Sequence, residues 1–146
     1  MTYWLASIAE HNWNVIRETK IYATGKNMKH KMRKGDHIII YIPQKASKKF
    51  GGCIVGILKL LTDIYKDKEP LFPLEKEHGK VLYPFRAKVE IISEGKISVK
   101  DVVHSLSFVQ NKKKYMLYFR GNPANLCRPL PENDVSLIIN KLTQQQ

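Results

Sequence analysis

Basic side chains are concentrated in three short segments of the sequence. The first segment has six basic residues within nine positions: Lys26, Lys29, His30, Lys31, Arg33 and Lys34. The other two segments hold three lysines each: Lys45, Lys48 and Lys49, then Lys112, Lys113 and Lys114. Lysine and arginine side chains neutralise phosphate groups. Any one segment fits an ordinary solvated loop equally well, but three such loops around one sheet favour a surface that follows a chain of phosphates.

Several aromatic residues lie beside this charge or in a segment without a regular pattern. Tyr22 precedes the first basic segment and is followed by Ala23 and Thr24. Tyr65 and Phe72 fall in an irregular stretch further along the chain. An aromatic ring close to positive charge is what stacking on a nucleobase requires, and such stacking is worth about 1–3 kcal/mol per base. We therefore predict that these residues contribute to a base-binding pocket.

Sequence motifs for catalysis and metal binding are missing. The chain has no GxxxxGKS/T or GxGxxG phosphate loop, no HExxH, no CxxC and no GxSxG. Its five histidines are scattered, and Cys53 and Cys127 stand alone, with Cys53 in an apolar run typical of a reduced core residue. We expect no catalytic residue, no metal and no cofactor.

The overall charge balance supports a polyanionic partner. The chain has 146 residues, of which 25 are Lys or Arg and 13 are Asp or Glu, so its net charge is +12. An excess of this size on one small domain attracts polyanions. A charge that serves only solubility is the alternative, and we favour nucleic acid.

Location and assembly follow from simpler patterns. No stretch reaches the roughly 18 apolar residues that a membrane-spanning helix needs. The first five residues lack the basic region and cleavage site of a signal peptide. We expect a cytoplasmic monomer with no membrane partner.

The hydrophobic pattern predicts a mixed α+β domain over residues 1–146, built around a curled sheet or barrel of about five or six strands with two or three helices. The run from His37 to Ile42 is typical of a strand buried on both faces, and Gly56 indicates a bulge. Strands are predicted at residues 3–8, 21–24, 37–42, 53–61, 85–92 and 114–120. Helices are predicted at residues 10–19 and 131–142, with a helical turn at 101–106. Residues 25–34 and 62–82 are predicted to be loops, the second one long.

Short motifs along the whole chain also resemble those of one known family. They are Tyr3-Trp4-Leu5, Asn12-Trp13, Lys34-Gly35-Asp36, Tyr41-Ile42-Pro43, Tyr83-Pro84-Phe85-Arg86 and Phe119-Arg120-Gly121. Their order and spacing resemble the EVE domain, a member of the PUA-like superfamily that is related to the YTH domain. The resemblance implies a PUA-like curved mixed sheet or barrel flanked by helices. It also implies binding of a modified base, either methylated cytosine in DNA or N6-methyladenine.

The resemblance also implies roles for individual residues. Ser7 and Asn12 match polar residues of the YTH pocket, Tyr22 matches a cage Trp, and Arg120 matches an arginine that contacts the backbone near the pocket mouth. Ala6 and Ala23 depart from the YTH pattern. A Tyr in place of Trp makes one wall smaller, which departs from the N6-methyladenine pattern and leaves a smaller pyrimidine open.

The sequence and the resemblance together predict two sets of residues. The predicted base pocket comprises Ser7, Asn12, Tyr22, Ala23, Thr24, Tyr65 and Phe72. The predicted contacts to the nucleic-acid backbone are Lys26, Lys29, Lys31, Arg33 and Arg120. In this hypothesis one base flips out of its stack, Tyr22 and a loop aromatic enclose it, and Asn12 bonds its edge.

Three other functions remain open at this point. The domain could bind structured RNA without preference for a modified base, it could be an enzyme that acts on a nucleobase, or it could be a structural subunit. The enzyme would need a titratable pair beside Tyr22, and Glu10, His11 and Asp63 have no partner that the sequence identifies.

Overall fold

The structure is a computed structural model and describes residues 1–145. Residue 146, the end of the predicted domain, lies outside the described residues. The strands are β1 (Tyr3–Ser7), β2 (Ile21–Thr24), β3 (His37–Ile42), β4 (Cys53–Leu60), β5 (Tyr65–Lys66) and β6 (Phe85–Ser98). The α-helices of the described chain are α1 (Glu10–Thr19), α2 (Pro73–His78), α3 (Val99–Val102) and α4 (Glu132–Thr143).

The strands form one mixed sheet in the order β1-β3-β4-β6-β2, and the short β5 also pairs with β6. β1 runs parallel to β3, and the other pairs are antiparallel. The first residues of β6 pair with β2 and β5, whereas its later residues pair with β4. This exchange of partners along one long strand lets the sheet curl. The predicted α+β fold with a curved mixed sheet is confirmed.

Strand β3 separates two hydrophobic cores. All six of its residues are buried, as the apolar run predicts. Ile38 and Ile40 belong to the core beneath α1, whereas Ile39 and Tyr41 belong to the core beneath α4. Successive side chains of a strand point to opposite faces, so a continuous apolar run is needed when both faces are covered.

Helix α1 packs on strand β4 at a glycine. Trp13 is 1% exposed, and a Cβ atom at Gly56 would lie 2.9 Å from the Trp13 ring and 3.0 Å from the backbone oxygen of Ser93. The pairing of β4 with β6 also shifts register between Ile54 and Gly56, so the predicted bulge is confirmed. This contact fixes α1 against the sheet, and Asn12 is the residue next to Trp13.

The segment predicted as a last strand has a different structure. Residues Lys112–Phe119 form 3-10 turns instead of extended chain. The outer edge of β1 is already occupied, because backbone N–H groups of Ala124 and Leu130 donate to it. Phe119 instead turns into the second core, where its ring lies 4.9 Å from that of Tyr41.

The long loop predicted at residues 62–82 contains the two residues of β5 and the six of α2. Strand β6 also extends beyond the predicted end at residue 92 to Ser98. The predicted helices at 10–19 and 131–142 are α1 and α4, and the predicted turn at 101–106 falls within α3 and a following 3-10 turn. None of the helices in the described chain has the length and apolarity that a membrane crossing requires.

Candidate functional site

A cavity of about 200 Å³ opens where β1 leads into α1. We call it the Asn12 cavity. Its walls come from β1 and α1, from β2, from the segment around α2 and from the turn after Phe119. The residues that line it are Ser7, Ile8, Ala9, Asn12, Ile16, Ala23, Phe72, Tyr83 and Asn122. Pockets for drug-sized ligands measure roughly 300–1,000 Å³, so this cavity suits a single small ring system.

Asn12 presents a hydrogen-bond acceptor that is not used. Its Oδ1 atom is buried and has no hydrogen-bond partner within residues 1–145. The side chain does not cap α1, although it lies in the first turn of that helix. A buried polar atom without a partner costs about 1–3 kcal/mol. An N–H group of a ligand in the cavity would remove this cost.

One side of the cavity is aromatic. The rings of Phe72 and Tyr83 meet edge to face, with their centroids 5.6 Å apart and their planes at 87°. Ile8, Ile16 and Ala23 supply aliphatic surface to the same cavity. The cavity therefore combines apolar walls with the amides of Asn12 and Asn122.

A buried carboxylate holds the aromatic side in place. Glu75 is fully buried and accepts the backbone N–H groups of Phe72 and Tyr83 at 3.0 and 2.9 Å. It also accepts those of Leu71 and Leu82 at 3.0 and 2.8 Å. Arg86, which is 1% exposed, donates to the same carboxylate at 3.2 Å. One side chain thus joins both ends of the segment that carries the two rings.

The environment of Glu75 changes its titration. Burial by itself raises the pKa of this carboxyl group, but the four backbone N–H donors outweigh burial and hold the pKa below its ordinary value. Glu75 is therefore a carboxylate at neutral pH, as its five donors require.

A second polar wall is held by β2. The Nδ2 atom of Asn122 donates to the backbone oxygen of Ala23 at 2.9 Å. The hydroxyl of Tyr22 donates to Oδ1 of Asn122, and the hydroxyl of Thr24 donates to its backbone oxygen. Burial raises the pKa of Tyr22 far above its ordinary value, so its hydroxyl stays a donor.

Comparison with known proteins identifies the family. The EVE domain family model matches residues 2–141. The chain belongs to the EVE domain family. A UPF0310 protein of Saccharolobus solfataricus is 40% identical to this EVE domain over 138 residues, which cover 94% of this chain and 93% of the relative.

Solved structures with the same fold include YTH domains. The Pho92 YTH domain in complex with m6A has a TM-score of 0.65 and 13% identity, covering 99% of this EVE domain and 85% of that chain. A complex of the YTH protein mmi1 with RNA has a TM-score of 0.65 and 10% identity, covering 97% and 80%. At these identities the likeness shows a shared fold, which agrees with the PUA-like and YTH-related architecture expected from the sequence.

Four residues of the predicted base pocket meet in the EVE domain. Ser7, Asn12, Ala23 and Phe72 all line the Asn12 cavity. Tyr22 does not line it among the described residues: its side chain is fully buried, and its hydroxyl donates to the wall residue Asn122. The prediction of Tyr22 as a stacking wall is therefore corrected, because consecutive strand residues point to opposite faces and Ala23 takes the cavity side.

Thr24 and Tyr65 also lie outside the cavity walls of the described chain. Thr24 is fully buried, and like Tyr22 it donates a hydrogen bond to Asn122. Tyr65 lies in β5, opposite Arg86 of β6. Because Tyr22 is not a wall of this cavity, its size gives no reason to expect a small pyrimidine as the ligand.

The predicted backbone contacts are exposed but not gathered in one place. Lys26 and Arg120 line one surface cavity of about 510 Å³, together with exposed Leu126. Lys29, Lys31 and Arg33 are exposed on the loop that follows β2, where buried Met28 and Met32 anchor the chain. Within residues 1–145, neither Arg120 nor these loop residues line the Asn12 cavity.

Sequence reasoning missed Tyr83 and Asn122 as wall residues. Tyr83 stands in one of the motifs shared with the family, which was a usable signal. Asn122 follows Gly121 and precedes Pro123, a composition that indicates only a turn. Ile8, Ala9 and Ile16 carry no signal beyond apolarity. Across residues 1–145, no three His, Cys, Asp or Glu side chains form a group that could hold a metal ion.

Proposed function

We propose that this EVE domain is a nucleic-acid-binding module that inserts one unstacked, modified base into the Asn12 cavity. The unpartnered Oδ1 atom of Asn12 carries the proposal, because it is a buried acceptor that awaits an N–H donor. Adenine and cytosine both carry an exocyclic amino group that donates. After a single N-methylation, such a group still has one N–H.

The walls fit the faces of a base. Phe72 and Tyr83 supply aromatic surface, and Ile8, Ile16 and Ala23 supply aliphatic surface. A methyl group buried against these walls adds about 0.8 kcal/mol, which corresponds to about a fourfold preference over the plain base. The proposed selectivity for a modified base is therefore modest unless the shape of the cavity also rejects the plain base.

Two wider observations support a nucleic-acid partner. The domain has a net charge of +12, and exposed Lys26 and Arg120 together line one surface cavity. The fold is also that of YTH domains, and structures of two of those proteins are complexes with m6A and with RNA.

The chemistry of the lining supports binding over catalysis. The described lining residues offer two amides and two hydroxyls but no carboxylate, imidazole, amine or thiol. Such groups can recognise the edge of a base. A nucleobase enzyme would place a general acid or base among them.

The test replaces Asn12 and compares oligonucleotides. DNA and RNA strands carrying N6-methyladenine, 5-methylcytosine or the plain bases are titrated with the parent, Asn12→Ala and Asn14→Ala. Asn14 is the matched control, since it lies on the same helix, is exposed and accepts a hydrogen bond from the nearby Arg17. We expect Asn12→Ala to weaken binding of the preferred modified strand about 2- to 12-fold per lost hydrogen bond. Asn14→Ala should bind like the parent.

Two results would contradict the proposal. Equal affinities of Asn12→Ala and the parent for every strand would show that no base enters the cavity. Equal affinities of the parent for modified and plain strands would favour the alternative, a module for RNA without modified-base preference.

A further inference from the structure

A second cavity, of about 340 Å³, adjoins the first. We call it the Tyr41 cavity. Ser7 lines both cavities, and Gly121 of the second is bonded directly to Asn122 of the first. The two cavities therefore share one wall residue and the turn at residues 121–122. A ligand in the Asn12 cavity that continued past Ser7 would meet residues that line the Tyr41 cavity.

The Tyr41 cavity offers polar groups that the protein does not use. Its lining includes the polar side chains of Ser7, Tyr41 and Gln44. Within residues 1–145 these three side chains make no hydrogen bond. Tyr41 is 3% exposed, and its ring centroid lies 4.9 Å from that of Phe119, so packing restricts the position of its side chain. These groups can donate to or accept from the edge of a ligand.

The lining of the Tyr41 cavity also includes cationic and apolar side chains. Met116, which is 43% exposed, forms part of its lining, and so do Lys45 and Arg120. The guanidinium of Arg120 has no hydrogen-bond or ion-pair partner in the described part of the chain. An unpaired guanidinium beside an apolar platform suits a phosphate next to a base, because its planar fork matches phosphate oxygens.

We infer that the Tyr41 cavity binds the nucleotide adjacent to the inserted base, so that the domain reads two consecutive nucleotides. This inference rests on the proposed function. The neighbouring base lies over Met116, its edge meets Tyr41 and Gln44, and Arg120 bonds a phosphate of this nucleotide. Because Tyr41 and Gln44 form hydrogen bonds with the edge of the neighbouring base, the affinity depends on which base this neighbour is.

The experiment compares a nucleoside with dinucleotides by NMR titration of the labelled full chain. The probes are N6-methyladenosine, 5-methylcytidine and the dinucleotides in which each modified base has one of the four neighbours. The dinucleotide should bind about 5- to 150-fold more tightly than its nucleoside, the range expected for one more stacked base. One neighbour should be preferred over the others.

Tyr41→Phe and Gln44→Ala remove one polar group each from the second cavity. We expect both variants to lose about 2- to 12-fold of the dinucleotide affinity and most of the neighbour preference. Their affinity for the nucleoside should equal that of the parent. Tyr65→Phe and Gln110→Ala are matched controls, since neither residue is among the described lining of either cavity.

The outcomes separate the two proposals. If Asn12→Ala is weakened while Tyr41→Phe and Gln44→Ala bind every dinucleotide like the parent, the second subsite is refuted and base insertion stands. If the two variants lose nucleoside affinity as well, the cavities are not separate subsites and the inference also fails. If Asn12→Ala and the parent bind nucleoside and dinucleotide alike, base insertion fails, and the second subsite fails with it.

Discussion

At the residue scale, Glu75 determines the shape of the candidate site without lining it. It bonds the backbone of Phe72 and of Tyr83, which are eleven positions apart in sequence, and it accepts from buried Arg86. Arg86 also donates to the backbone oxygens of Tyr83 and Glu69, whereas the backbone N–H groups bonded to Glu75 have it as their acceptor. A buried acceptor of this kind is costly to remove because four backbone N–H groups then lose their partner.

Glu75→Gln should lower the free energy of unfolding by about 1–3 kcal/mol, since the neutral amide cannot accept all of the N–H groups that the carboxylate accepts. The same change should weaken binding of the modified base, because Phe72 and Tyr83 lose their common anchor. Urea denaturation and the oligonucleotide titration measure the two effects. Glu77→Gln, an exposed residue of the same helix, is the control and should change neither.

The pH dependence of stability gives an independent check on Glu75. Because its folded pKa is lowered, the carboxylate stabilises the fold above the unfolded pKa of about 4.3. That contribution is lost as pH falls through the folded pKa. The stability difference between the parent and Glu75→Gln should therefore be full at neutral pH and narrow below about pH 4.3. A difference that stays constant to lower pH would show that the carboxylate charge is not responsible.

At the scale of elements, the position of α1 depends on the missing side chain of Gly56. Trp13 fills the space over this glycine, and Asn12 precedes Trp13 on the helix. The close contact between helix and strand thus sets where the unpaired Asn12 acceptor lies in the cavity.

Gly56→Ala should destabilise the fold by about 1–3 kcal/mol, the usual cost of overpacking a core. It should also weaken base binding, since α1 must move to admit the new methyl group. Thermal and urea unfolding measure the first effect. The loss of unfolding free energy caused by Gly56→Ala should be smaller in a Trp13→Phe background, because the phenylalanine ring is smaller and leaves room for the new methyl group. An equal cost in both backgrounds would show that the Trp13 contact is not its cause.

At the scale of the whole molecule, the excess positive charge predicts how affinity responds to salt. Lys26 and Arg120 share one surface cavity, and Lys29, Lys31 and Arg33 project from the neighbouring loop. If about four of these cations contact phosphates, the logarithm of affinity should fall against the logarithm of salt concentration with a slope near −3 to −4.

The double variant Lys26→Ala, Arg120→Ala should reduce that slope by about 2 units, because two phosphate contacts are lost. The control Lys100→Ala, Lys141→Ala removes the same charge from exposed positions on α3 and α4. It should leave the slope nearly unchanged. If both double variants reduce the slope equally, net charge alone attracts the nucleic acid and no specific track exists.

The sequence by itself determined those elements whose pattern is local. The apolar run of β3 required a strand covered on both faces, and α1 and β2 follow from periodicity and from the residues that bound them. The order of short motifs indicated the EVE family, and Ser7, Asn12, Ala23 and Phe72 were predicted site residues that meet in the structure. The strand predicted at residues 114–120 is wrong. An apolar run of this kind suits either a strand or a packed turn, and here other residues occupy the edge of β1.

The tertiary structure alone decided which of Tyr22 and Ala23 faces the cavity. A shift of one residue along a strand reverses the side to which each side chain points, and the sequence of β2 is apolar on both sides. Only the structure brought together Tyr83 and Asn122, which are distant in the chain and whose local composition indicates turns. The cavity is a gap between elements, and gaps depend on how elements pack, which local pattern does not encode.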